Sequence, residues 1–271
     1  MKIVRRIILG LGLLAVFAYL TGLVALYTLQ RTFQYDPTGR IFSVSETALG
    51  DVETVAIPVS DGVTVTGWYA PPADPTKPVI LYLRGNAGSY TFEHERFAAF
   101  QQAGYGFLSF DYRGFPGSPG EISEDNILAD SLIAFDWLAD KGFSIVIWGR
   151  SLGSGPASYL ASERDARALI LETPFLSAVS VARDRYWFFP VEWLMFDQFP
   201  VDQWVARVDE PTFVGHGTAD ETIGVSHGER VHGLLRNPGP LWIVDGAGHS
   251  DLWNGGIWGQ VEPFIETAMA Q

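Results

Sequence analysis

Apolar positions along this chain form one long run and then many short ones. Residues 7–29 contain no charged side chain. Beyond them, apolar and β-branched runs of strand length recur, and from the third run onward segments of helical length separate them. The first two short runs flank Ser60, Asp61 and Gly62, a turn signal typical of a β-hairpin. The eight predicted strands are 52–59, 63–70, 78–83, 105–110, 144–148, 168–171, 211–215 and 241–244.

The intervening segments predict helices on both faces of the sheet. They cover residues 90–103, 124–141, 152–163, 226–236 and 258–270. A hairpin followed by alternating strands and helices is typical of an α/β protein with a mostly parallel, doubly wound sheet of about eight strands. The alternation breaks once, at about residues 176–208, which predicts a small lid insert. Its aromatic stretches, 186–190 and 193–196, form either a buried helix face or the wall of an apolar acyl pocket.

The long apolar run predicts a membrane anchor. As a helix its 23 residues would measure about 35 Å, enough to cross a bilayer core. The apolar region of a cleaved signal peptide is usually about 7 to 15 residues, so the length favours a retained anchor. Lys2, Arg5 and Arg6 precede the run, whereas only Arg31 follows closely. This asymmetry predicts a cytoplasmic N-terminus and an extracytoplasmic domain, periplasmic in a bacterium.

The chain therefore divides into four predicted parts: 1–6, a cytoplasmic N-terminus; 7–29, a transmembrane signal-anchor helix; 30–50, a linker; and 51–271, the soluble domain. The formal net charge of −13 argues against nucleic-acid binding, which needs a basic surface. It also predicts that the anchor, rather than the domain surface, holds the protein at the membrane. The absence of cysteine excludes disulfides and cysteine-based metal or redox chemistry.

The most informative motif is G-x-S-x-G at residues 149–153. A predicted buried strand leads into it and a predicted helix follows, which is the context of a nucleophile elbow with Ser151 at its apex. Glycine suits the flanking positions because the turn crowds its neighbours. A second match, at 224–228, follows a polar loop instead of an apolar strand. We therefore interpret the second match as the start of a surface helix.

A serine nucleophile needs a base and an acid that orients the base, and in this arrangement they follow the serine in the order acid, then histidine. His249 follows the last predicted strand, at the carboxyl edge of the sheet, and is the predicted base. Asp220, just past the seventh strand, is the predicted acid. Glu172, at the end of the sixth strand, is its competitor. Of the other histidines, His94 precedes the elbow, His227 and His232 lie on a predicted surface helix, and His216 is assigned a structural role.

The tetrahedral intermediate of acyl transfer needs two N–H donors. The backbone N–H of Leu152, the residue after the nucleophile, is one predicted donor. The second is assigned to Asn86, in the glycine-containing loop 84–88 that follows the third strand. An ordinary strand-to-helix turn is the alternative interpretation of that loop.

These motifs together resemble the α/β-hydrolase superfamily, in particular its N-terminally membrane-anchored serine hydrolases with a HGNAG loop. The matching stretches are LRGNAG at 83–88, FDYRG at 110–114, GRSLGSG at 149–155, LETPF at 171–175, HGTAD at 216–220 and GH at 248–249. The resemblance implies an eight-stranded sheet with one antiparallel member, no cofactor or metal, and structural roles for Asp111 and Arg113. Arg84 stands where the subgroup has histidine. It either forms a local salt bridge or biases the pocket toward anionic acyl substrates.

The leading hypothesis is a membrane-anchored serine hydrolase that cleaves carboxylic esters or thioesters of small acyl or lipid-like substrates through an acyl-enzyme. One alternative is a serine peptidase of the same fold, which needs an acidic or polar site for a free amino terminus. Another is an inactive hydrolase-fold protein that binds a partner. The ordered residues Ser151, Asp220 and His249 favour the enzyme.

Overall fold

The computed structural model describes residues 1–270, and an eight-stranded sheet forms its centre. The sheet order is β1-β2-β4-β3-β5-β6-β7-β8. Strand β2 is antiparallel to both of its neighbours and the remaining pairs are parallel, so β2 is the single antiparallel member. The strands are β1 Glu53–Pro58, β2 Thr64–Ala70, β3 Val79–Leu83, β4 Gly106–Phe110, β5 Ile145–Arg150, β6 Ala168–Glu172, β7 Thr212–Gly217 and β8 Pro238–Val244.

All eight predicted strands are present, as is the predicted β1–β2 hairpin. Its turn is a short 3₁₀ helix, Ser60–Gly62, in which Asp61 and Gly62 have φ of 60° and 72°. These left-handed conformations explain the Asp-Gly signal in the sequence. The α/β-hydrolase fold predicted from the sequence is therefore confirmed.

Helices cover both faces of the sheet. They are α1 Lys2–Gln34, α2 His94–Gln102, α3 Glu124–Ala139, α4 Ser154–Glu163, α5 Ala178–Arg185, α6 Val191–Leu194, α7 Val201–Val205, α8 Val225–Leu234 and α9 Trp258–Met269. Along β5, Ile145 and Ile147 face one hydrophobic core while Val146 and Trp148 face the other. This alternation follows from the two-residue period of a strand, and double-sided burial explains why the central strands are apolar throughout.

The N-terminal helix α1 is 33 residues long and extends past the predicted segment to Gln34. It is long and apolar enough to cross a membrane, with a mean hydropathy of 2.4 over its most apolar window. Its last turns contact residues 194–197. The side chain of Gln30 donates to Leu194 O at 3.0 Å and accepts from Phe196 N at 2.7 Å. Arg31 Nε lies 2.9 Å from an oxygen of Asp197.

The insert between β6 and β7, predicted as a lid at about 176–208, contains the three short helices α5, α6 and α7. We call residues 176–208 the lid and residues 186–196 its tip. The lid joins the body through buried residues of α7, Val201, Trp204 and Val205. Its tip packs instead against α1, where the rings of Phe189 and Tyr19 stack at 5.1 Å.

Candidate active site

The elbow is built by the strand β5, a 3₁₀ turn at Ser151–Gly153 and the helix α4. Ser151 has φ of 51°, a left-handed conformation that a residue with a side chain adopts only under constraint. The two motif glycines permit this turn. A Cβ added to Gly149 would lie 2.4 Å from Gly153 O, and one added to Gly153 would lie 1.9 Å from Leu83 O. The spacing of the motif is therefore a steric requirement of the turn.

Three loops at the carboxyl edge of the sheet bring Ser151, His249 and Asp220 into one hydrogen-bonded chain. The hydroxyl oxygen of Ser151 is 2.8 Å from His249 Nε2. On the other side of the ring, His249 Nδ1 is 2.7 Å from Asp220 Oδ2. The loops follow β5, β7 and β8, which are parallel strands in the same half of the sheet. Since the carboxyl ends of parallel strands share an edge, residues far apart in sequence meet there.

The environment of Asp220 keeps its carboxylate ionised. Burial by itself would raise the pKa of Asp220, but hydrogen bonds from His216, His249 and the Ile223 N–H outweigh it and hold the pKa well below its usual value. The backbone N–H groups of Thr222 and Ile223 both donate to Oδ1, at 2.9 and 2.8 Å. Oδ2 is left to face the two histidines. The carboxylate is thus fixed in position to accept a hydrogen bond from the Nδ1–H group of His249.

His216, predicted to be structural, lies fully buried under Asp220. Its Nε2 is 2.8 Å from Ile223 O and 3.3 Å from Asp220 Oδ2. A Cβ added to Gly228 would come within 2.5 Å of the His216 ring. The last glycine of the second G-x-S-x-G match therefore makes room for His216, which explains this glycine without a nucleophile role for Ser226.

Glu172, the competing acid, is engaged elsewhere. Arg96 forms two hydrogen bonds with it, both 2.8 Å, and Trp148 Nε1 donates to it at 3.0 Å. Burial would raise the pKa of Glu172, but the charge of Arg96 outweighs it and lowers the pKa below the ordinary value of 4.5. The structure thus pairs His249 with Asp220, and Glu172 with Arg96.

Replacing Glu172 with glutamine is expected to reduce the free energy of unfolding by about 2 kcal/mol at neutral pH, because it removes one of the two carboxylates that pair with the buried Arg96 and leaves only Glu93, at 2.7 Å. A folded-state pKa below the ordinary 4.5 means that the pair stabilises the protein fully above pH 4.5 and loses that effect as the pH falls through the lower, folded-state pKa. Urea unfolding in detergent at several pH values measures the difference. The matched control is Glu163→Gln, which removes an exposed ion pair with Arg207 and is expected to cost less than about 1 kcal/mol. An equal loss at all pH values would contradict the ion-pair account.

Both residues assigned as oxyanion donors lie beside Ser151. Leu152 is the second residue of the 3₁₀ turn, a position whose backbone N–H has no partner within the turn. Asn86 follows β3, and a Cβ added to its neighbour Gly85 would be 3.7 Å from the Ser151 Cβ. The end of α1 holds this loop, since Asp36 N donates to Asn86 O at 2.9 Å and the Asn86 amide donates to Gln34 O at 3.1 Å.

A cavity of about 380 Å³ opens at Ser151, within the usual size range of ligand pockets. Its walls come from the elbow, the loop 84–88, the lid and α1. The lining residues are Leu26, Gln30, Phe33, Gln34, Asn86, Ser151, Leu152, Phe175, Ala178, Val181, Ala182, Arg185, Tyr186, Val191, Leu194, Met195, Thr222 and Ile223. The contribution of α1 is absent from the sequence-based prediction, which treats this helix only as an anchor. Its one sequence signal is Gln30, a polar residue just past the apolar run.

One expectation about side-chain environment is wrong and a second is only partly right. His227, predicted on a surface helix, is buried: its Nδ1 accepts from Leu176 N at 3.2 Å, and its Nε2 is 2.9 Å from Asp184. The aromatic stretches of the lid were expected to form a buried face or a pocket wall. Tyr186, Leu194 and Met195 do line the cavity, but Trp187 and Trp193 are 78% and 86% exposed. Both differences arise because the position of the insert relative to α1 and α8 cannot be derived from local periodicity.

Arg84, for which two roles were open, forms the local salt bridge. It is buried, and its guanidinium lies 3.3 Å from Asp111 and 4.7 Å from the centre of the Phe115 ring. Asp111 also accepts from Ser89 at 2.8 Å and from the Tyr90 N–H at 2.9 Å. Arg84 is not among the residues that line the cavity. The charge of Arg84 is therefore paired with that of Asp111 inside the fold.

Comparison with known proteins agrees with this architecture. No family model matches the chain. An uncharacterised protein of Mycobacterium tuberculosis is 31% identical over 231 residues, which cover 83% of this chain and 82% of that protein. The lysophosphatidylserine lipase ABHD12 of Xenopus tropicalis is 32% identical over 189 residues, covering 62% of this chain and 49% of the lipase. The chain thus spans about half the length of that lipase.

Solved structures show the same fold. The Pyrococcus furiosus esterase Pf2001 superposes with a TM-score of 0.70 at 21% identity, over 87% of this chain and 98% of the esterase. Est1E of Butyrivibrio proteoclasticus superposes with a TM-score of 0.65 at 20% identity, over 80% of this chain and all of Est1E. The chain has the α/β-hydrolase fold. The named relatives and structural neighbours include lipases and esterases.

Proposed function

We propose that this protein is a membrane-anchored serine hydrolase that cleaves esters or thioesters of single-chain acyl lipids. The observation that carries the proposal is the hydrogen-bonded chain from Ser151 through His249 to Asp220, at the base of a largely apolar cavity. A linked hydroxyl, imidazole and carboxylate are what nucleophilic acyl transfer at neutral pH needs. The likeness to a lysophosphatidylserine lipase supports a lipid substrate with one acyl chain.

In the proposed reaction, His249 Nε2 takes the proton of the Ser151 hydroxyl as its oxygen attacks the carbonyl carbon of the substrate. Asp220 accepts a hydrogen bond from Nδ1–H and stabilises the imidazolium that forms. The backbone N–H groups of Leu152 and Asn86 hold the oxyanion. His249 then donates its proton to the departing alcohol or thiol, which leaves an acyl-enzyme on Ser151. A water molecule, activated by the same imidazole, releases the carboxylic acid.

The cavity lining favours an acyl chain over a peptide. Of its lining residues in the described part of the chain, only Arg185 is charged. An aminopeptidase would need a carboxylate to hold the substrate ammonium group, and the lining contains no Asp or Glu among residues 1–270. Arg185, at the end of α5, is exposed and suits an anionic head group. These features favour an anionic monoacyl lipid, whereas the intact chain of hydrogen bonds argues against an inactive binding protein.

The loop at 83–88 supports membership of the HGNAG subgroup despite Arg84. Because Arg84 is buried against Asp111, the change from histidine brings no charge into the cavity. The backbone role assigned to Asn86 needs no particular side chain at position 84. Sequence and structure therefore support the same oxyanion arrangement as in the subgroup.

The proposed location is a membrane crossed once by α1. The helix passes the length and hydropathy requirements for a span. Three basic residues precede the apolar run, which supports a cytoplasmic N-terminus and an extracytoplasmic catalytic domain. The domain division follows from this, with residues 1–6 inside, 7–29 in the membrane and 51–271 outside. The segment 30–50 includes the end of α1 and connects it to β1.

The proposal is tested with purified full-length protein in detergent. p-Nitrophenyl esters from acetyl to hexadecanoyl, the matching acyl thioesters and aminoacyl p-nitroanilides are assayed in parallel. Hydrolysis of the esters or thioesters without hydrolysis of the anilides is the expected result. Preferential cleavage of the anilides would instead establish the peptidase, and no turnover of any of these would favour the binding protein.

Filling the cavity is expected to change the chain-length preference. Ala182, on α5, lines the cavity, so Ala182→Phe should occupy space needed by a long acyl chain. We expect kcat/KM for a dodecanoyl ester to fall about tenfold or more, with the acetyl ester changed by less than about threefold. The matched control is Ala139→Phe, at the exposed end of α3. An equal fall in kcat/KM for both esters would mean that the acyl chain does not bind beside Ala182.

A further inference from the structure

The tip of the lid carries an exposed aromatic surface that no part of the described chain covers. Its members are Trp187, Phe188, Trp193 and Phe196. Soluble monomeric proteins rarely expose contiguous apolar patches of this kind, and such patches mark interaction sites. Tryptophan is also enriched where proteins meet the membrane–water interface.

This surface is continuous with α1. The ring of Phe196 packs edge-on against Tyr27 at 5.0 Å. Nearer the N-terminus, Tyr19 donates to Phe188 O at 3.2 Å and stacks on Phe189. A Cβ added to Gly22 would come within 2.8 Å of the Phe189 ring, so this glycine lets the lid approach the helix closely. The contacts are thus spread along α1 from Tyr19 to Gln30.

The position of these contacts along α1 sets the depth of the lid. The apolar stretch between Arg6 and Tyr19 has only 12 residues, or about 18 Å of helix, too short to cross a hydrocarbon core of about 30 Å. About 20 residues are needed, which extends the span from residue 7 to about residue 26. The helix therefore cannot span the bilayer unless its contacts with the lid tip at Tyr19 and Gly22 lie inside the outer part of the membrane.

Polar groups lie where this arrangement needs them. Arg31, Asp197 and Tyr35 form a hydrogen-bonded cluster just beyond the apolar run, with Arg31 also paired to Glu121. Arg31 is five residues beyond residue 26 on the same helix, about 8 Å along its axis, and therefore lies at the level of the lipid head groups when residues 7–26 occupy the hydrocarbon.

We propose that the tip of the lid inserts into the extracytoplasmic leaflet beside α1, so that the cavity at Ser151 receives its acyl chain directly from the bilayer. The second half of this inference rests on the proposed function. It is supported by the shared lining of the cavity, in which Leu26 and Phe33 of α1 face Leu194 and Met195 of the lid. A single acyl chain lying against α1 in the leaflet would pass between two walls that both contact lipid.

The absence of cysteine from the chain makes the test direct, because single-cysteine variants need no background substitutions. Trp187→Cys and Trp193→Cys carry an environment-sensitive fluorophore on the full-length protein in phosphatidylcholine–phosphatidylglycerol vesicles. Leu234→Cys is the matched control, an exposed apolar position at the end of α8 that leads to the amino end of β8, opposite Ser151. Spin-labelled lipids should quench the two lid probes and leave the control probe unquenched. Lid probes that iodide in water quenches as readily as the control would overturn the insertion.

Hydrolysis measured in the same vesicles separates this inference from the proposed function. If the protein is active but its lid probes are exposed to water, the inserted lid is rejected and the hydrolase is supported. If the probes are inserted but the protein hydrolyses nothing, the inserted lid is supported and the hydrolase is rejected.

A double variant, Trp187→Gln with Trp193→Gln, tests delivery from the bilayer. Its turnover of a monoacyl lipid in vesicles is expected to fall about tenfold while a soluble acetyl ester is unaffected, because insertion of the tip depends on the apolar area that it buries in the leaflet, whereas α1 anchors the protein in both cases. Equal loss on both substrates, or no loss on the vesicle substrate, would contradict delivery from the leaflet.

Discussion

Replacing Ser151 with alanine is expected to lower kcat for acyl esters by at least about 10⁴-fold, because no other group can form the acyl-enzyme. The side chain is small and hydrogen-bonds only at its hydroxyl, so the variant should fold like the wild type. Turnover of a p-nitrophenyl ester, with far-UV circular dichroism as a check on folding, measures the effect.

The chain supplies a matched control for this experiment. Ser226 lies in the second G-x-S-x-G match, at the start of α8, where its side chain is exposed. Ser226→Ala is expected to retain wild-type turnover within about twofold. Undiminished hydrolysis by Ser151→Ala, or a large loss in Ser226→Ala, would be incompatible with the elbow at Ser151.

Asp220→Asn is expected to lower kcat by about 10³- to 10⁴-fold, because an amide neither holds the correct tautomer of His249 nor stabilises the imidazolium. Since hydrogen bonds hold the pKa of Asp220 well below its usual value, the wild-type carboxylate remains charged on the acidic side of neutrality. Any fall in wild-type activity between pH 7 and pH 5 should therefore not come from protonation of Asp220. The pH dependence of kcat/KM in both proteins tests this.

Glu221→Gln is the control for that substitution. Glu221 is adjacent in sequence and exposed, so loss of its charge changes the local field without touching His249. Its kcat is expected to stay within about twofold of wild type. If Glu221→Gln and Asp220→Asn reduced activity equally, the loss would come from the change in local charge rather than from the 2.7 Å hydrogen bond between Asp220 and His249.

The central sheet could be predicted from the sequence because patterns within single strands and turns determine it. The run at β5 is apolar on both faces, and the glycines of the elbow are demanded by contacts within a few residues. The order of Ser151, Asp220 and His249 was informative because successive parallel strands bring their carboxyl ends to one edge.

The walls of the cavity could not be predicted in the same way. The hydrogen bond between Gln30 and Leu194 joins residues 164 positions apart, and that between Tyr19 and Phe188 joins residues 169 apart. Neither follows from periodicity, which describes one element at a time. The same limit applies to His227, whose burial depends on how the lid meets α8. Long-range docking of α1 and the lid is therefore the part of the site that needed a structure.

The central claim is that Ser151 is a nucleophile activated by His249. Reaction of the full-length protein with a fluorophosphonate, followed by peptide mapping, tests it most directly, because such probes form a covalent bond only with an activated serine. One adduct is expected, on the peptide that contains Ser151, and it should be lost in His249→Ala. An adduct on Ser226, or an unlabelled protein that still hydrolyses acyl esters, would contradict it.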